Sequence, residues 1–138
     1  MSHVLTADGG TESLRVRIYD LDGRCVASHA EPYETKFMAG ARAEQNAEDW
    51  WSSLVTATQI CLKEANISGD AIDAMTYATT CCTVVALDKN GAPLRPALMW
   101  MDVRADKEAE AVLETGDQRL ILNGNGQGPV SAEWMIPK

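Results

Sequence analysis

Basic residues, histidine and phenylalanine are scarce in this chain. Twelve Lys and Arg stand against 20 Asp and Glu, a formal charge of −8. That balance argues against nucleic acid as a partner, because backbone binding needs cations gathered on one face. Histidine occurs only at His3 and His29, and the four cysteines, Cys25, Cys61, Cys81 and Cys82, contain no Cys-x-x-Cys spacing. Neither set offers the ligand spacing of a zinc site. Vicinal Cys81-Cys82 is poorly shaped for a disulfide, and free thiols are expected, with Cys25 and Cys61 as small buried apolar side chains. No apolar run approaches the roughly 20 residues that a membrane span requires, and Met1-Ser2-His3 opens no signal peptide, so a cytoplasmic protein without a membrane partner is expected. Internal repeats, low-complexity stretches and long charge runs are also missing. What remains is 138 residues, 46% hydrophobic and 23% charged, enough for one globular domain with a core.

The stretch that organises the rest is Asp8-Gly9-Gly10-Thr11, between the apolar run Val4-Leu5-Thr6-Ala7 and the alternating run Leu14-Arg15-Val16-Arg17-Ile18. Two strands joined by this turn bring together a carboxylate, two residues that accept positive φ and a hydroxyl. One reading is an ordinary tight hairpin with Asp and Gly as turn residues. The other is an anion grip, in which Gly9 and Gly10 let backbone N–H groups approach a phosphate. Asp8 repels such an anion unless Mg²⁺, which prefers oxygen ligands, sits between them.

Further along, Leu21-Asp22-Gly23-Arg24 supplies a second turn and Cys25-Val26-Ala27-Ser28 a third strand, completing an antiparallel meander. Glu31 to Ala43 shows no clean period and is expected to be a loop. Asn46 then caps a helix whose first turn carries Glu48 and Asp49. The spacing of Trp51, Leu54, Val55, Thr58, Cys61, Leu62 and Ala65 predicts one buried face. Asn66, Ser68 and Gly69 end it, and Ala71–Ala78 is expected to return as a strand parallel to the first, making the sheet mixed. A strand at Thr83–Leu87 ends in the turn Asp88–Gly91, followed by the short apolar run Ala97–Trp100. A helix over Ala105–Leu113, a glycine-rich loop from Asn123 to Pro129 and a second helix opening at Ser131 complete the expectation. The loop lacks a following Gly-Lys-Ser/Thr and is no P-loop. A helix barely begun before Pro137-Lys138 suggests a truncated chain.

The order of these pieces resembles the N-terminal part of FGGY carbohydrate kinases. The resemblance spans nearly the whole chain, and its most specific parts are Asp8-Gly9-Gly10-Thr11, Ala43-Glu44-Gln45-Asn46-Ala47-Glu48-Asp49-Trp50-Trp51 and Leu94-Arg95-Pro96-Ala97-Leu98-Met99-Trp100-Met101-Asp102-Val103-Arg104. It implies an α/β, actin-like (ribonuclease H-like) fold, with residues 1–138 as the sugar-side part of a truncated first domain. The second, nucleotide-binding domain and the catalytic base are then expected outside this chain, which alone is inactive. The implied activity is ATP-dependent phosphorylation of a sugar or polyol hydroxyl, with ATP and Mg²⁺ as cofactors.

Carried over by position, the resemblance assigns Asp8 to the metal and phosphate region, and Gly9, Gly10 and Thr11 to the turn facing the phosphate. Arg15 either neutralises phosphate charge or is an exposed strand residue. The sugar pocket is implied at Thr80, Cys81 and Cys82 and at Trp100 and Asp102. Trp100 has a competing reading as a core aromatic, Asp102 as the cap of a helix starting near Val103, and Arg104 as a structural ion pair. Cys81 and Cys82 stand where xylulose kinases carry Met-His and glycerol kinases Arg-Glu, so neither polar signature is present. The tail from Ser131 to Lys138 is closer to ribulokinase-like members and favours a ketopentose. A different class also fits: a non-catalytic, sugar-responsive or interaction module on the same fold, or a short protein that forms a homodimer.

Overall fold

A computed structural model describes residues 2–122 and 130–138. The chain divides into two compact units. The first runs to Thr35 and resumes over Asn46–Thr80, and the second takes Lys36–Gln45 and resumes at Cys81.

In the first unit, β1 (His3–Gly9), β2 (Ser13–Asp20) and β3 (Cys25–Pro32) form the expected antiparallel meander. Period-2 alternation buries Leu5 and Ala7 on β1 and Leu14, Val16 and Ile18 on β2, while Thr6, Asp8, Arg15 and Arg17 take the opposite face. Helix α1 (Ala47–Ala65) packs on β2 and β3, and β6 (Ile72–Thr79) then pairs parallel to β1, giving the strand order β3-β2-β1-β6. The sheet is mixed, as the crossover requires.

The buried face of α1 differs from the expected one. Ser53, Ala57 and Cys61 form its buried line, flanked by Leu54, Leu62 and Ala65, whereas Trp51 is 66% exposed. Small side chains let the helix backbone approach the sheet, and the Cys61 thiol donates to the Val16 carbonyl at 3.5 Å. A hydrophobicity pattern favours the large residue; close packing favours the small one.

The expected loop over Glu31–Ala43 contains the end of β3 in the first unit and a hairpin in the second. β4 (Lys36–Met38) pairs with β5 (Arg42–Gln45), and Gly40 and Ala41 turn between them at φ 77° and 52°. β5 pairs on its other side with β7 (Ala97–Leu98). Strands this short leave no period to read. The expected strand at Thr83–Leu87 is instead two isolated bridges, Val84 to Leu98 and Leu87 to Pro93. Pro93 and Pro96 lack the N–H groups that a continuous ladder needs. The Asp88–Gly91 turn is as expected, with Asp88 Oδ1 accepting from the N–H groups of Asn90 and Ala92. Helix α2 (Asp106–Glu114) begins one residue later than the pattern suggested. At Ser131 there are turns rather than a helix, since Ser131 accepts from Glu133 and Trp134 and Pro137 disfavours helical backbone just before it. The 123–129 expectation lies outside the described residues.

Candidate functional site

The hairpin turn of the first unit is held by a residue the sequence did not single out. Tyr33 donates its hydroxyl to the carbonyls of Gly10 and Ser13, and its own N–H donates to Glu12 O at 3.1 Å. Thr35 Oγ1 donates to Thr11 O at 3.3 Å. Burial, then the negative charges of an ionised Tyr77 and of Asp8, pushes the Tyr33 phenol up to about 12. The hydroxyl thus stays a donor throughout the physiological range. Tyr33 lies in an aperiodic stretch, so nothing in the sequence pattern pointed to it.

Two features of the anion grip need correction. Asp8 and Gly9 belong to β1 rather than to the turn, and neither Gly9 nor Gly10 is among the positive-φ glycines. The Gly10 N–H donates to Ser13 O at 3.0 Å, inside the turn. A Cβ at Gly9 would lie 3.4 Å from Tyr77 Oη and one at Gly10 3.4 Å from Ser13 O, ordinary contact distances, so neither position requires glycine for space. Asp8 itself is exposed, directly across the ladder from Arg15, which is half-buried. Thr80 continues from β6, donating its N–H to Gly9 O at 3.2 Å.

The second unit is organised by Asp102, which is fully buried. Oδ1 accepts from Arg104 N at 3.0 Å and Nε at 2.8 Å; Oδ2 accepts from Ala43 N at 2.8 Å and Arg104 Nη2 at 2.6 Å. Burial alone raises a carboxyl, but the Arg104 guanidinium and the two N–H groups outweigh it and hold Asp102 down at about 2. Arg104 also reaches Glu44 at 2.9 Å, and Glu44 accepts from Arg95 as well. The chain Asp102–Arg104–Glu44–Arg95 therefore links the segment after β7 to β5. Asp102 does not cap α2, whose N-cap is Ala105. The ion-pair reading of Arg104 holds.

Around this cluster, Arg42, Arg95, Leu98, Arg104, Ala105, Glu108, Pro137 and Lys138 line a pocket of about 290 Å³. Trp100 is 38% exposed, two residues from the buried carboxylate. Cys82 adopts φ 60° and is half-buried, while Cys81 is exposed. Burial, then its hydrogen bond with Cys81, pushes the Cys82 thiol up, which disfavours a nucleophilic thiolate. All four cysteines are free; Cys61 is buried as expected, whereas Cys25 is exposed. Among the described residues no group of three or more His, Cys, Asp or Glu side chains could hold a metal, and no helix is long and apolar enough to cross a membrane.

Residues 3–132 match the N-terminal domain of the FGGY family of carbohydrate kinases. The chain belongs to that family. As an FGGY chain it is 33% identical over 117 residues to a glycerol kinase of Acinetobacter baylyi, covering 84% of this chain and 24% of the relative. It is 30% identical over 137 residues to a xylulose kinase of Streptomyces coelicolor, covering 98% of this chain and 27% of the relative. The solved structure of a xylulose kinase from Brucella ovis superposes with a TM-score of 0.84 at 21% identity, over 98% of this chain and 28% of that one. The fold is thus the actin-like α/β fold of these kinases, and this FGGY chain spans about a quarter of the length of the curated relatives it matches.

Proposed function

We propose that this chain is the sugar-side, N-terminal part of domain I of an ATP-dependent carbohydrate kinase, with the nucleotide-binding domain and the base outside it. The observation that carries the reading is the Asp8 hairpin. Beside a turn pinned by Tyr33, the last part of β1 presents the exposed carboxylate of Asp8 across the ladder from one cation, Arg15, in a chain of the FGGY family.

Mg²⁺ fits that arrangement. It is commonly held by one or two carboxylates together with substrate phosphates and its own waters, so a single Asp8 suffices and no cage of protein ligands is needed. Bound there, the ion supplies charge neutralisation for the phosphates of ATP. Thr11, in the turn, lends its hydroxyl to orienting the transferred phosphoryl group, and Arg15 offsets charge on the nucleotide. On the acceptor side, Trp100 walls the sugar, Cys81 and Cys82 line it, and Asp102 holds the segment carrying Trp100 in place. Phosphoryl transfer asks the protein chiefly for positioning and charge neutralisation, and in this reading the Asp8 hairpin serves the phosphate and the Trp100 segment the acceptor. The acceptor is a ketopentose such as ribulose or xylulose, and the protein acts in the cytoplasm.

The test is ADP release by the protein expressed from its whole reading frame, against ketopentoses, polyols and hexoses, with the 138-residue chain alongside. Turnover with a ketopentose, and none from the chain alone, is expected. A folded, nucleotide-binding protein that turns over no sugar would bring forward the sugar-responsive module, and self-association of the chain alone on size exclusion would favour a homodimer.

A further inference from the structure

We propose that Lys138 is a positioning residue of the sugar site, its ammonium tying the main chain at Cys82 to the main chain at Met99 and Trp100. The inference rests on the reading above, which places Cys82 and Trp100 on the acceptor side. Its basis is geometric. Lys138 Nζ donates to Cys82 O at 3.3 Å, Met99 O at 2.8 Å and Trp100 O at 3.0 Å.

An ammonium has three N–H donors and no acceptor, and here three carbonyls from two separate segments receive them. Bonds from an ionised donor are stronger than neutral ones. One of the segments needs such a hold, because Cys82 sits at φ 60°, a left-handed backbone that a side-chain-bearing residue adopts at a cost. The two segments also meet directly through Val84 and Leu98, which exchange both backbone hydrogen bonds at 2.9 Å. Beyond that bridge, toward Cys82 on one side and Trp100 on the other, the lysine continues the connection. Without it three carbonyls lose a charged donor, and the spacing between the Cys81-Cys82 turn and the Trp100 ring is no longer set. A ligand gripped between the two segments then binds less tightly, while nucleotide binding is untouched.

The test uses the protein from its whole reading frame with Lys138→Met, Lys138→Arg and, as a control in an exposed turn, Lys89→Met. Lys138→Met is expected to raise KM for the sugar about tenfold or more while KM for ATP stays within about twofold. Amide exchange at Val84 and Leu98 should rise by about tenfold while the β1 and β2 amides keep their protection. Lys138→Arg, whose planar fork does not match a tripod of carbonyls, should recover only part of the sugar KM, and Lys89→Met should change nothing. Added ethylammonium should lower the sugar KM of Lys138→Ala and leave the wild type unaffected. If Lys138→Met fails to fold, Lys138→Gln carries the same readouts.

An unchanged sugar KM in a wild-type-active protein overturns the inference. So does a parallel rise in both KM values with faster exchange in every strand, which is general loosening. Wild-type protein that turns over no sugar removes the kinase reading, and the positioning role falls with it.

Discussion

At the scale of single residues, Asp102 and Tyr33 are each held by more than one partner, and each has a shifted pKa. Asp102 has a folded pKa depressed from 3.8 to about 2. Its contribution is therefore complete above the ordinary carboxylate value and is lost as pH falls toward about 2. Because Asp102 is fully buried, the shift corresponds to about 2 kcal/mol. Asp102→Asn is expected to lower stability at neutral pH by about that amount or more, since Arg104 keeps only Glu44. Urea denaturation at neutral pH and at acid pH should show a smaller pH dependence in the variant; an identical dependence contradicts the assignment. Tyr33 has the opposite sign. Its pKa is raised to about 12, so its contribution is present below the ordinary tyrosine value and lost as pH rises through about 12. Spectrophotometric titration should show a late-ionising tyrosine near pH 12, and Tyr33→Phe should remove it. That substitution is also expected to cost about 1–2 kcal/mol, because two turn carbonyls lose their donor.

At the scale of elements, α1 makes the sharpest prediction. Ala57 is fully buried in the line Ser53, Ala57, Cys61 against the sheet. Ala57→Leu should cost about 1–3 kcal/mol by overpacking. Trp51→Ala, on an exposed residue, should cost under about 1 kcal/mol, reversing the order that side-chain hydrophobicity suggests. Thermal denaturation of both variants checks the pair. The meander, the Asn46 cap and the parallel return were legible because each has a signal of its own: alternation in Leu14–Ile18, a capping side chain before two acidic residues, and a left-handed terminator at Asn66. The β4–β5 hairpin and the bridges at Val84 and Leu87 were not. They are one to four residues long, and what holds them is contact with chain far away in sequence, such as Asp102 accepting from Ala43.

At the scale of the whole molecule, the family and its fold were legible in the order of the motifs, and the candidate site residues through resemblance alone. Asp8, Arg15, Trp100 and Asp102 could be singled out by resemblance, but Tyr33, Glu44 and Lys138, which bond to the hairpin turn, to Arg104 and to the Trp100 carbonyl, act through tertiary contacts that no local spacing encodes. The net charge of −8 gives the proposed role of the Asp8–Arg15 register pair its weight: with so few cations, binding of a polyanion would depend on local arrangement rather than on overall field. The measurement that tests this most directly is Asp8→Ala in the protein from its whole reading frame, following sugar-dependent ADP release over a range of Mg²⁺ concentrations beside the melting temperature. Asp8 is exposed, so the fold should be kept, with kcat falling about 100-fold or more and the dependence on Mg²⁺ weakened. A folded variant with kcat within about threefold of wild type and the same Mg²⁺ dependence would contradict the assignment of this hairpin to phosphate and metal.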